Sequence, residues 1–134
     1  MIHNIKDALK NYFEDESLIN PEGTPGSETG YPERNVNWMK ENLIPKIENL
    51  IDKNINKNCL DVGCAQGYFT RVLSETFDKT YGIDLSNNRI NYAKQYETES
   101  LKFIQSDLTE SFANKFPIKF DFMFTNAVLP HIPL

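Results

Sequence analysis

An α/β fold built on a parallel sheet is the architecture this sequence predicts, and three observations predict it. From Lys57 onward, short apolar runs alternate with segments of helical periodicity, which pack as a parallel sheet with right-handed crossovers. The first run passes into a turn of small residues, Gly63-Cys64-Ala65-Gln66-Gly67, and then into a helix. The next two runs each end at a carboxylate, Asp84 and Asp107.

The elements follow in order. Ile2, Ile5, Leu9, Tyr12 and Phe13 recur at helical spacing and predict an amphipathic helix that stops near Asn20-Pro21. Residues 20–34 hold three of the six glycines and three of the seven prolines, so this stretch is a loop, either a functional flap or a disordered linker. Val36, Met39, Leu43, Ile47, Leu50 and Ile51 form a second helical stripe, which Pro45 is expected to kink or split. Strands are then expected over 59–62, 80–83, 101–104 and 120–124, the last running into Asn126. Helices are expected over 68–77 and over 89–97, the second with Ser86 as N-cap, and a short helix or turn over 108–115.

Composition narrows the class. The chain has 134 residues, a formal charge of -5 and a pI near 5.0, which suits one domain with a core of its own. With 40% hydrophobic and 25% charged residues it is neither disordered nor fibrous. Cys59 and Cys64 have no second Cys/His pair to complete a zinc site, and they fit no secreted disulfide framework, so a reducing, cytoplasmic setting is expected. Neither a signal peptide nor a membrane-spanning run is legible. The acidic balance offers no general attraction to nucleic acid, which binds mainly through Lys and Arg at phosphates.

The chemistry concentrates where strands end. In an open parallel sheet the carboxyl edge is where ligands bind, and Leu60-Asp61-Val62-Gly63-Cys64-Ala65-Gln66-Gly67 stands at such an edge. Glycine at 63 and 67, with only a methyl at 65, lets ligand atoms approach the backbone. A dinucleotide fingerprint requires G-x-G-x-x-G, which this register fails at Ala65 and Tyr68, and no Gly-Lys-Ser/Thr run offers a P-loop. Tyr81-Gly82-Ile83-Asp84-Leu85-Ser86 places a carboxylate at the second strand's end, spaced for hydrogen bonds to ribose hydroxyls. Phe103-Ile104-Gln105-Ser106-Asp107-Leu108 places another at the third, and Phe120-Asp121-Phe122-Met123-Phe124-Thr125-Asn126-Ala127-Val128-Leu129-Pro130-His131 closes the series.

These four segments, in this order, resemble the motifs of the class I S-adenosylmethionine-dependent methyltransferases over residues 57–134, and residues 1–56 hardly take part. Ala65 replaces the middle glycine of the family's first motif. The resemblance implies a doubly wound, Rossmann-like sheet, S-adenosylmethionine as cofactor, and a site drawn from Asp61, Gly63, Ala65, Gly67, Asp84, Leu85, Asp107, Leu108 and Asn126. Within it Asp84 would accept from the ribose, Asp107 from the adenine amino group, Leu85 and Leu108 would flank the adenine, and Asn126 would lie near the methionine moiety. Residues 1–56 become N-terminal helices and a loop that could cover the site with Tyr31 and Trp38. No metal is implied.

Each residue also has a plainer role. The glycines can simply make turns, Asp84 and Asp107 can cap helices, Cys64 can be a small packed residue, and Tyr68, Phe69, Phe112, Phe116 and the phenylalanines of the fourth strand read as core. His131 is the one catalytic candidate, although packing or capping is the commoner role of a helix-borne histidine. The family needs no fixed catalytic base, because the sulfonium supplies an activated methyl. Asn126-Ala127-Val128-Leu129 departs from the Asn-Pro-Pro-aromatic run of enzymes acting on base amino groups, which with the acidic pI favours a small-molecule or protein acceptor. A noncatalytic cofactor-binding relic is the alternative, and a nucleotide-dependent oxidoreductase is disfavoured by the failed fingerprint. Four strands against the family's seven imply a core that stops after its fourth strand, with an apolar edge prone to self-association and little turnover by these residues alone.

Overall fold

In the computed structural model residues 36–52, 55, 57–110 and 113–126 are described. The expected first helix, the loop at 20–34 with Tyr31, Phe112 and His131 lie outside the described residues.

The described chain opens with a helical stretch over residues 36–50. Its stripe of Val36, Met39, Leu43 and Ile47 recurs every three or four residues, and Met39 and Ile47 are buried in the core. At Pro45, where a kink or split was expected, the helical stretch continues but changes type. A π-helical turn, Met39–Leu43, precedes the proline, and the Ile44 N–H donates to the Met39 carbonyl, five residues back. The widened turn delivers Pro45 into the first turn of α1 (Ile44–Leu50), where a missing N–H leaves nothing unpaired.

Four strands follow: β1 (Asn58–Val62), β2 (Lys79–Asp84), β3 (Leu101–Gln105) and β4 (Phe122–Thr125). All pairings are parallel and the spatial order is β3-β2-β1-β4. The chain therefore steps outward from β1 to β3 and returns to the far side of β1. That reversal is the signature of a doubly wound sheet, and its switch point lies between β1 and β4. Cys59, Leu60 and Asp61 are buried in succession, as a central strand covered on both faces requires.

Between the strands run α2 (Tyr68–Ser74) and α3 (Asn87–Ala93). The first is shorter than expected: after Ser74 the Glu75 and Thr76 N–H groups donate to the carbonyls three residues back, on Val72 and Leu73, at 3.1 and 2.9 Å. The second starts at Asn87, immediately after its cap: Ser86 Oγ accepts from the Arg89 N–H at 3.2 Å, and the helix tightens into a 3-10 turn, Lys94–Tyr96. The short helix or turn expected at 108–115 is, among the described residues, a turn after Asp107 and a 3-10 turn, Ala113–Lys115.

β4 begins later than the apolar run suggested. Phe120 packs edge-on against Tyr81 and Phe116, with centroids 5.8 and 4.9 Å away. Asp121 Oδ2 accepts the Asn58 N–H at 2.9 Å, so it holds the start of β1 instead of extending β4.

Helices and sheet close over two apolar clusters. One joins Met39, Ile47, Cys59, Val72, Leu73 and Phe77, so residues 36–50 share their core with β1 and α2. The other joins Cys64, Ile90, Ala93, Leu101 and Phe103 beneath the carboxyl edge. Each large side chain so buried contributes about 1.5–3 kcal/mol. On the opposite face Tyr81 carries Phe116 and Phe120, where the chain crosses back from β3 to β4.

Candidate functional site

Three connections converge at the carboxyl edge of the sheet. In residues 63–67 the backbone takes left-handed φ at alternate positions, 74° at Gly63, 50° at Ala65 and 84° at Gly67. Glycine adopts this region freely. Alanine does so at a cost of about 1–2 kcal/mol, so Ala65 stands where the turn strains an L-residue. The turn is tied to β2, since the Gly63 and Cys64 N–H groups both donate to the Ile83 carbonyl, at 2.8 and 2.9 Å. Gly67 then opens α2, and the Gly67 N–H donates to the Cys64 carbonyl at 2.9 Å.

Asp84 sits where the connections meet. Its Oδ2 accepts the Ala65 N–H and its Oδ1 the Ser86 N–H, both at 2.9 Å. Its own carbonyl accepts the Ser106 N–H at 2.9 Å, which brings in the connection after β3. One residue thereby joins three turns, and its half-buried carboxylate stands at their junction. Beside it Leu85 is half-buried, and its carbonyl accepts Gln105 Nε2 at 3.0 Å.

At the end of β3, Asp107 Oδ1 accepts the Thr109 N–H at 2.8 Å and the Thr109 hydroxyl at 2.6 Å, an Asx turn that leaves Leu108 half-buried next to it. Asn126 is exposed just past β4, whose Thr125 lies in register with Val62, so it sits across the switch point from Gly63. These residues share one edge. Asp61 lies behind them: it is 2% exposed, and its Oδ2 accepts the Thr70 hydroxyl at 2.7 Å from inside α2. Burial pushes the Asp61 carboxyl up to about 7, the Thr70 hydrogen bond draws it back, and the Asp84 charge adds a smaller upward push.

The two cysteines are packing residues. Burial drives both thiols upward, further helped at Cys64 by Asp84 and Asp61, so neither is a thiolate near neutral pH. Three side chains that support the site escaped the sequence reading: Thr70 under Asp61, Gln105 against Leu85, and Phe103, whose ring lies against Gly67 and Gly82. Thr70 lies outside the four motif segments, and Phe103 and Gln105 stand in the segment that leads to Asp107 without a role assigned to them.

A profile described as "Methyltransferase domain" matches residues 53–134, most of the chain. The chain belongs to the methyltransferase-domain family. This is the class I S-adenosylmethionine-dependent family, whose cofactor is S-adenosylmethionine. Among curated relatives, ubiquinone biosynthesis O-methyltransferase of Idiomarina loihiensis is 32% identical over 89 residues, covering 65% of this chain and 37% of that protein. Ribosomal RNA small subunit methyltransferase A of Mycoplasma mycoides is 28% identical over 82 residues, covering 60% of this chain and 31% of that protein. The chain thus spans about a third of the length of these relatives. In fold it is similar to magnesium protoporphyrin IX methyltransferase of Synechocystis, solved with bound S-adenosylmethionine, at a TM-score of 0.66 and 17% identity over 96% of this chain and 64% of that one. No helix among the described residues is long and apolar enough to cross a membrane.

Proposed function

We propose that these residues form the cofactor-binding part of an S-adenosylmethionine-dependent methyltransferase acting on a small-molecule or protein acceptor in the cytoplasm. The observation that carries this reading is Asp84, a carboxylate fixed by two backbone N–H groups at the carboxyl end of β2 in a doubly wound sheet, beside the left-handed turn that leaves β1.

The residues present fit the group. The Ala65 and Ser86 N–H groups fix the Asp84 carboxylate at the end of β2, where two ribose hydroxyls would donate to it. Asp107 supplies an acceptor at the neighbouring strand end for an adenine amino group, and Leu85 and Leu108 supply apolar walls for the ring. With no side chain at Gly63 and Gly67 and only a methyl at Ala65, the turn lets the methionine end come close to the backbone, with Asn126 across from it just past β4. Asp61 anchors the turn from beneath through Thr70.

The bound cofactor supplies the activated methyl on its sulfonium. The chain's part is to bind the nucleoside, orient the methyl toward the acceptor and exclude water around it. No described side chain has to move a proton for that, and His131 stays a candidate outside the described residues.

The charge of -5 supports a small-molecule or protein acceptor over nucleic acid, while the relatives are named for both classes, ubiquinone biosynthesis and ribosomal RNA. Titration of the folded chain with S-adenosylhomocysteine, followed by labelled methyl transfer to candidate acceptors and to ribosomal RNA, tests both levels. Binding with transfer to a small molecule or protein supports the proposal. Binding with transfer to RNA corrects the acceptor, and no binding removes the proposal.

A further inference from the structure

Phe103 lies one layer below the carboxyl edge, in the middle of β3, and it is 2% exposed. Its ring runs across β2 and reaches the start of α2. A methyl placed on Gly67 would stand 2.6 Å from Phe103 Cζ and 2.7 Å from Cε1. A methyl placed on Gly82 would stand 2.8 Å from Cδ1 and 2.9 Å from Cε1, and 2.9 Å from Cys64 Sγ. Both separations are well inside carbon–carbon contact, so the ring fills the space that side chains at these two positions would need. Gly82 is therefore no turn residue: it is a gap in the middle of a strand through which the ring passes.

The ring is itself held. The Phe103 N–H donates to Glu97 Oε1 at 2.9 Å, and Ile90, Ala93 and Leu101 pack around the side chain. A rigid aromatic edge thus supports Gly67, the last residue of the turn whose Ala65 N–H reaches Asp84.

Resting on the cofactor reading above, we infer that Phe103 is a positioning residue: its ring sets the height of the turn at residues 63–67 relative to Asp84, and so shapes the cofactor site without touching the cofactor. Shortening the ring lets the turn sink, which alters the distance between the turn's N–H groups and the ribose carboxylate. A methyl at Gly82 pushes the ring upward and displaces the turn the other way. Shortening the ring removes the Phe103 contacts of the Gly82 methyl and leaves its 2.9 Å contact with Cys64 Sγ, so the two changes compensate in part when combined.

The test measures S-adenosylhomocysteine affinity by calorimetry on the full 134-residue chain and its variants, at a temperature where circular dichroism shows each folded. Phe103→Leu is expected to weaken binding about tenfold, Gly82→Ala to weaken it by a similar factor, and the double variant to bind more tightly than Gly82→Ala alone. Phe103→Met, closer in volume, takes the place of Phe103→Leu if that chain does not fold. A merely structural ring predicts lower melting temperatures with unchanged affinity in every folded variant. That result overturns the inference while leaving the proposed function standing, and a folded wild-type chain that does not bind overturns both.

Discussion

Asp84 Oδ2 accepts the Ala65 N–H at 2.9 Å, so the carboxylate that ends β2 holds the turn that leaves β1. The bond spans two neighbouring strands and ties the left-handed turn to the residue proposed to meet the ribose. A carboxylate with this partner is part of the scaffold as well as of the site. Its removal therefore has a cost even without ligand. Asp84→Ala is expected to lower the unfolding free energy by about 1–3 kcal/mol, because two backbone N–H groups lose a charged acceptor. Asp84→Asn retains an oxygen and falls between. Urea denaturation of the ligand-free chains checks the order, and equal midpoints for all three would remove the clamp.

Ala65 is the residue at which this turn departs from the family's glycine, and its φ of 50° places it in the left-handed region. Ala65→Gly relieves that strain but gives the unfolded chain more freedom, leaving a net gain of up to about 1 kcal/mol. Ala65→Val adds a β-branched side chain to the same backbone and is expected to lose about 1–3 kcal/mol. Thermal midpoints of the two variants should move in opposite directions. A lower midpoint for Ala65→Gly would mean that the methyl has a packing role that outweighs the strain.

Asp61 should make stability depend on pH in an uncommon sense for a carboxylate. Burial raises its pKa from the ordinary 3.8 to about 7, so the folded chain holds a proton that the unfolded chain releases. The contribution is fully present below pH 4 and is lost as pH rises toward 7, by an amount on the order of a few kcal/mol. Asp61→Asn, which keeps the shape and an oxygen for the Thr70 hydroxyl, should abolish that slope and be the more stable chain at pH 8. Denaturation midpoints from pH 4 to 8 decide it, and parallel profiles for the two proteins would refute the assignment.

Ser86 accepts the Arg89 N–H at 3.2 Å and is fully buried, so Ser86→Ala leaves an unpaired donor at the start of α3. A loss of about 1 kcal/mol is expected, with Ser86→Thr retaining part of the cap. Chemical denaturation of both variants checks the difference.

Much of the fold was legible because its signals are local. Cys59 to Val62 is an apolar run ended by Gly63, Ser86 precedes a helical stripe, and Asp84 and Asp107 close strands, so strand, cap and acid can each be read within a few residues. The carboxyl-edge placement of Gly63, Asp84, Asp107 and Asn126 follows once those strands are parallel. What escaped depends on contacts distant in sequence. Phe120 and Asp121 continue an apolar alternation that reads as strand, yet Tyr81 draws the ring away and Asn58 takes the carboxylate. Phe103 reads as one more strand phenylalanine until β2 lies beside it and Gly82 opens the space for its ring. Pro45 marks an irregularity in the helical stripe, but periodicity carries no sign that it takes the form of a π-helical turn.

Calorimetric titration of the folded chain with S-adenosylhomocysteine, run in parallel on Asp84→Ala, tests the central claim most directly. Saturable one-site binding by the wild type, weakened by roughly one to two orders of magnitude in a demonstrably folded Asp84→Ala chain, is the predicted result. Equal affinity in the two chains, or no binding by the folded wild type, would contradict it.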